Sequence, residues 1–255
     1  TLAYVGFGAF VGGGYDPGRD VAVAFAIAHD GARPLLGPMI AGQAHLGPIW
    51  YYVLALPMLI APTWLTAAMT AVVLGALQFP LAYATGKRLG DRTLGVLWAV
   101  ALAMPGWASF ETVGFASTNV VRTLVLATIY CVLRARDLSP REASPGWWFA
   151  AGLAAAAATH AHPSSAWLAA IVLICAWRRP GRVATHVRDE VAAVLAVAAG
   201  AAVLFIPALM APASLIASTR AVAEGNIAIA NLARIPALLW SVAWSGPHAI
   251  MAAVY

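Results

Sequence analysis

The stretch 63–92, TWLTAAMTAVVLGALQFPLAYATGKRLGDR, decides the fold. Twenty-four residues without a charge are followed by six of which four are charged. An α-helix needs about 20 apolar residues to cross the hydrocarbon core of a bilayer, and 63–86 meets that length. The run is apolar on all sides and lacks the two-residue alternation of a membrane barrel strand, so it reads as a helix whose backbone groups are satisfied within the segment. The same pattern recurs at 93–110, 117–133, 147–160, 164–177 and 191–210, with a partial block at each end.

Composition agrees. The 255 residues are 62% hydrophobic and 10% charged, where a soluble domain is about a quarter charged. We therefore expect an all-α, polytopic integral membrane protein with about seven to eight transmembrane helices, forming one transmembrane module over 1–255. Because the sequence starts and stops inside apolar runs (1–11 and 249–255), we expect it to be cut from a longer chain at both ends.

Three turns, 87–92 (KRLGDR), 134–141 (RARDLSPR) and 178–188 (RRPGRVATHVR), hold three, three and four of the fifteen Lys and Arg residues. Two crossings separate each from the next, so all three fall on one side, which the positive-inside rule makes the cytoplasm. The net charge of +5 belongs to these turns and gives no nucleic-acid signal. Cys131 and Cys175 both fall in apolar blocks and read as small buried hydrophobes rather than as a disulfide or metal pair.

Counting back from Lys87 places 12–62 outside, as a loop of about fifty residues, long enough to carry function. In GGGYDPGRD, residues 12–20, Asp16 before Pro17 reads as an N-cap, and Gly31 reads as a stop, predicting a juxtamembrane helix over 17–29. Segment 49–60, IWYYVLALPMLI, is too short to cross. With Trp50, Tyr51, Tyr52 and Trp64 it is expected to lie in the headgroup layer. The turns 111–122 (ETVGFASTNVVR), 160–163 (HAHP) and 211–234 fall on the same outer side, so the scattered polar residues of an apolar chain converge on one face.

Those residues suggest chemistry. A carboxylate at the membrane surface can take a proton from a hydroxyl, and Asp16 is the first candidate; capping its helix is the competing reading. Arg19, three residues on, either pairs with Asp16 or contacts a phosphate. Asp20 either joins Asp16 in holding a divalent cation, the one cofactor the chain suggests, or faces water. His45 lies near the headgroups, where a phosphate contact competes with a structural role. Arg122, just inside an apolar helix, requires a partner, either Glu111 or a lipid phosphate. Asn119, His160 and His162 share that outer face, and two histidines without a third ligand are a weak zinc signal. The aromatics Trp50, Tyr51 and Tyr52 read as interfacial anchors or as a surface on which sugar or polyprenyl stacks.

The order of these pieces resembles the polyprenyl-phosphate-dependent glycosyltransferases of the GT-C fold, in the branch holding protein O-mannosyltransferases and the lipid A aminoarabinose transferase. YDPGRDVAVAFAIAHDGARPLLGP stands where members carry an acidic motif, an arginine and an amphipathic helix. AHLGPIWYYVLALP stands at their proline-aromatic segment, and KRLGDRTLGVLWAVALAMP at their basic turn and third helix. The resemblance extends to about residue 177. It implies inverting transfer of a sugar from a polyprenyl-phosphate donor on the outer, periplasmic face of the cytoplasmic membrane, with Asp16 as base. Arg19, His45, Asn119, Arg122 and His162 would then contact the substrate or the lipid phosphate. Pro17 stands where many members have Glu, Asn119 near a second acidic position, and His45 and His162 near two lysine positions. Two rival functions follow from the same residues: a non-catalytic accessory subunit of a membrane complex, and a transporter or lipid flippase.

Overall fold

The computed structural model describes residues 15–40, 44–103, 117–137, 145–177 and 187–210. The chain divides into two compact units. One comprises Thr1–Pro38 and Leu46–Ala211; of the other, only a two-residue antiparallel pairing of β1 (Met39–Ile40) with β2 (Ala44–His45) lies among the described residues. Everything else described is helical or connecting.

In the first unit α1 (Tyr15–His29) and α2 (Ile49–Met58) lie side by side and point the same way. Two contacts fix this: near their starts the Trp50 indole N–H donates to Asp20 Oδ2 at 3.0 Å, and at their ends His29 Nε2 donates to the Met58 carbonyl at 3.1 Å. Helix α1 stops where expected. Gly31 takes the left-handed conformation at φ 71° that other residues avoid, and the N–H groups of Asp30 and Ala32 both return to the Ala26 carbonyl.

The N-terminal expectation is corrected: the helix already includes Tyr15, so Asp16 sits within its first described turn rather than capping it. Helix α2 is two-sided, with Leu56, Leu59 and Ile60 exposed at and just beyond its end. Trp50, Tyr51, Leu54, Ala55 and Met58 are buried together with Ala24 of α1 and Ala67, Ala68 and Ala71 of the next helix. A face recurring at one, four, five and eight residues packs into a core.

Helices α3 (Trp64–Ala76) and α4 (Gln78–Leu89) form one long rod with a break at Leu77. Thr63 caps the start by accepting the Thr66 N–H at 3.1 Å. Pro80 explains the break, because it has no N–H for the Ala76 carbonyl. The rod, Trp64–Leu89, holds 26 residues, about 39 Å at the helical rise.

A tight turn then leads into α5 (Arg92–Ala103), where Asp91 Oδ1 accepts the Leu94 N–H at 2.9 Å. Gly86 and Gly95 let the two helices touch at the backbone: a Cβ on Gly86 would lie 2.8 Å from the Gly95 Cα.

A 3₁₀ turn, Ser117–Val120, opens α6 (Val121–Asp137), and α7 (Pro145–Ala161), α8 (Trp167–Trp177) and α9 (Val187–Leu209) follow. Alanines and glycines line α7, so α9 crosses it at backbone distance, with Gly152 against the Val197 carbonyl and Gly200 against that of Phe149. Cys131 is buried in this second core, beside Trp148, Ala151, Leu168 and Val172, as read from sequence.

Among the described residues three helical stretches, Trp64–Leu89, Ser117–Arg136 and Asp189–Ile206, are long and apolar enough to cross a membrane, fewer than the seven to eight expected. The others fall short for visible reasons. Helix α5 is described only as far as Ala103, α8 has 11 residues, and α7 has 17. Large apolar side chains point outward from α5, α8 and α9, among them Leu97 at 60%, Ile174 at 59% and Leu195 at 62% exposure. Patches of this kind require a nonaqueous neighbour.

Candidate functional site

The two ends of the helical unit differ in chemistry. At one end the guanidinium of Arg88 lies 5.5 Å from the Tyr130 ring centre and that of Arg134 lies 5.0 Å from Trp147, the two rings meeting edge to face. The last turns of α4 and α6 and the first of α7 therefore share this basic end. At the opposite end of α6 and α7 the Ser117 hydroxyl donates to the Ala161 carbonyl at 3.1 Å, and Gly47, just before α2, lies against the His160 ring. Polar residues from four segments gather there.

Asp20 is the best-defined member. It is buried, and a buried carboxylate is tolerable only when its oxygens are engaged. Arg19 donates from Nε and Nη2 to Oδ1 at 3.0 and 2.8 Å, and Trp50 supplies its N–H to Oδ2. Arg19 thus pairs with Asp20. Asp20 is buried and does not face water. Among the described residues no three or more His, Cys, Asp or Glu side chains group together.

The backbone places Asp16 one turn before this network, in the first described turn of α1; its carboxylate lies outside the described part. Asn119 is buried in the 3₁₀ turn. Arg122 is half-buried in the first turn of α6, and Glu111, the partner considered for it, lies outside the described residues. His162 caps the short turn Pro163–Ser165: its Nδ1 lies 2.7 Å from the Ser164 hydroxyl and accepts the Ser164 N–H at 3.3 Å. His45, in β2, belongs to the other unit.

An apolar cleft of about 140 Å³ opens beside these groups, between α2, α3, α6 and α7. Trp50, Leu74, Val120, Leu124 and Ala161 are among its walls. Trp50 joins the two environments, presenting its ring to the cleft and its N–H to Asp20. Thr123 closes another gap. Its hydroxyl donates to the carbonyls of Leu74 at 2.9 Å and Gly75 at 3.3 Å, next to the break after α3. Sequence reasoning missed Trp50 as an anchor for Asp20, and it missed Ser117 and Thr123 as fasteners. The one signal available for Trp50 was its spacing from the buried face of α1.

No known protein family, curated protein or solved structure matches the chain.

Proposed function

We propose that this chain is a transmembrane glycosyltransferase of GT-C type, with about seven to eight crossings, that takes a sugar from a polyprenyl-phosphate donor at the outer face of the cytoplasmic membrane. One observation supports the reading above others: an apolar cleft and a buried polar network meet at Trp50, at the end of the unit opposite the stacked arginines. A substrate with a hydrocarbon tail and a polar head fits such a junction, and a soluble metabolite would not need it. By the positive-inside rule the arginine end is cytoplasmic and the polar end external.

The chemistry follows from that placement. An acceptor hydroxyl gives its proton to the Asp16 carboxylate as its oxygen attacks the anomeric carbon, and the bond from that carbon to the phosphate oxygen breaks with its electrons going to the phosphate. Attack opposite the leaving group inverts the anomeric centre. Arg122 serves the departing phosphate. Arg19 acts through Asp20, holding α1 against Trp50 and with it the turn that carries Asp16. A divalent cation, if used, takes Asp16 as its ligand.

Replacing Asp16 with Asn in the full-length protein tests the assignment. Transfer from a polyprenyl-phosphate sugar should vanish while thermal stability is kept, and undiminished transfer would overturn it.

One observation favours the transporter reading. The rod is broken near its middle, and Gln78, at the break, is buried with neither amide atom hydrogen-bonded among the described residues. Transporters use broken helices in matching halves, and a second break is not found among the described residues.

A further inference from the structure

His160 and Asn119 carry an unexplained cost. His160, in the last turn of α7, has 2% of its surface exposed, and among the described residues neither ring nitrogen has a hydrogen-bond partner; Asn119 is 5% exposed and its Nδ2 is likewise unmatched among them. The two are held at one seam, because Ser117 of the same 3₁₀ turn as Asn119 bonds to Ala161, the neighbour of His160. His160 has little freedom to look elsewhere. Gly47 lies against one side of its ring, and the Phe205 ring meets it edge-on with centres 4.7 Å apart. Buried polar atoms are nearly always paired, and unpaired ones are a standing penalty.

Val120 and Ala161, the direct neighbours of these two residues, line the apolar cleft, so the backbone that carries Asn119 and His160 runs along the place proposed for the donor. Their chemistry selects the ligand. Asn119 Nδ2 donates, while a neutral imidazole donates from one nitrogen and accepts at the other. That set suits hydroxyl groups, each of which both donates and accepts. An anionic group buried here would call for a cation.

We infer that His160 and Asn119 form a hydrogen-bonding site for uncharged hydroxyls of the transferred sugar. The inference rests on the glycosyltransferase reading, and its test separates the two.

The experiment compares wild type with Asn119→Leu and His160→Phe in the full-length protein. Thermal stability is measured in detergent, without and with a polyprenyl-phosphate hexose, and again with the sugar-free polyprenyl phosphate. Exchanging an unpaired buried polar group for an apolar one of similar shape is neutral or stabilising, so both variants should melt at or above the wild-type temperature without ligand. With the sugar-bearing lipid, wild type should gain several degrees more than with the bare lipid, and the variants should lose that difference. Transfer should fall at least tenfold.

Variants that melt well below wild type without ligand would show a structural role and overturn the inference. So would variants that keep the full sugar-dependent gain. If wild type itself gains nothing from either lipid, the glycosyltransferase reading fails with it. Wild type that gains equally from both lipids overturns only the sugar site.

Discussion

Gly47→Ala probes the closest approach in the candidate site. A Cβ built on Gly47 would lie 1.9 Å from His160 Nδ1 and 2.2 Å from Cγ and Cε1, well inside any real contact. The backbone there does not require glycine for its conformation, since Gly31 is the glycine of positive φ among the described residues. The cost is therefore steric. The imidazole cannot swing away easily, with Phe205 on it and almost no exposed surface, so the alternative is a shift of the start of α2, which would pull Trp50 from Asp20.

Overpacking of this kind costs about 1–3 kcal/mol, and loss of the Trp50 contact to a charged acceptor adds to it. We expect Gly47→Ala to lower stability by about 2–3 kcal/mol, read as a shifted unfolding midpoint in detergent. His160→Ala in the same chain should restore most of the loss, a coupling of about 1–2 kcal/mol in the double-mutant cycle. A Gly47→Ala protein as stable as wild type, or a double variant whose losses simply add, would refute the packing of α2 against α7.

Three further outcomes follow from the fold. Trp50→Phe keeps the ring in the core but leaves Asp20 Oδ2 without its donor, and should cost about 1–3 kcal/mol; Trp50→Phe combined with Asp20→Asn should recover part of it. Gly152→Leu puts a side chain where a Cβ alone would come 2.1 Å from the Val197 carbonyl, and should abolish recovery of folded protein on size exclusion, whereas Ala154→Leu, two residues on and half-buried, should not. Thr63→Val removes the cap of α3 and should lower the unfolding midpoint by an amount equivalent to about 1 kcal/mol, leaving transfer unchanged.

How far the sequence carried depended on what each signal measures. Apolar block length found the rods that include Trp64–Leu89, Ser117–Arg136 and Asp189–Ile206, because crossing a membrane is a property of local composition. Gly31 was legible as a stop because left-handed backbone favours glycine wherever it occurs. The failures are tertiary. That Trp50 and Tyr51 pack against α1 and α3 was not legible, because amphipathic aromatics serve equally in a headgroup layer and in a core. The pairing of Arg19 with its neighbour Asp20, whose carboxylate Trp50 holds from the other side, had no sequence signal, because it depends on a helix thirty residues away. His160, set in a run of alanines, gave no sign that Gly47, more than a hundred residues earlier, packs on its ring.

The central claim is tested most directly by reconstituting the full-length protein in liposomes that contain a polyprenyl phosphate bearing a radiolabelled sugar, with membrane extract supplied as the source of acceptor. Mild acid releases sugar still held on the lipid phosphate and spares a glycoside. The account predicts acid-stable label from wild type and none from Asp16→Asn of equal thermal stability. Label that stays entirely acid-labile with wild type, in liposomes where the protein is shown to be folded, would contradict it.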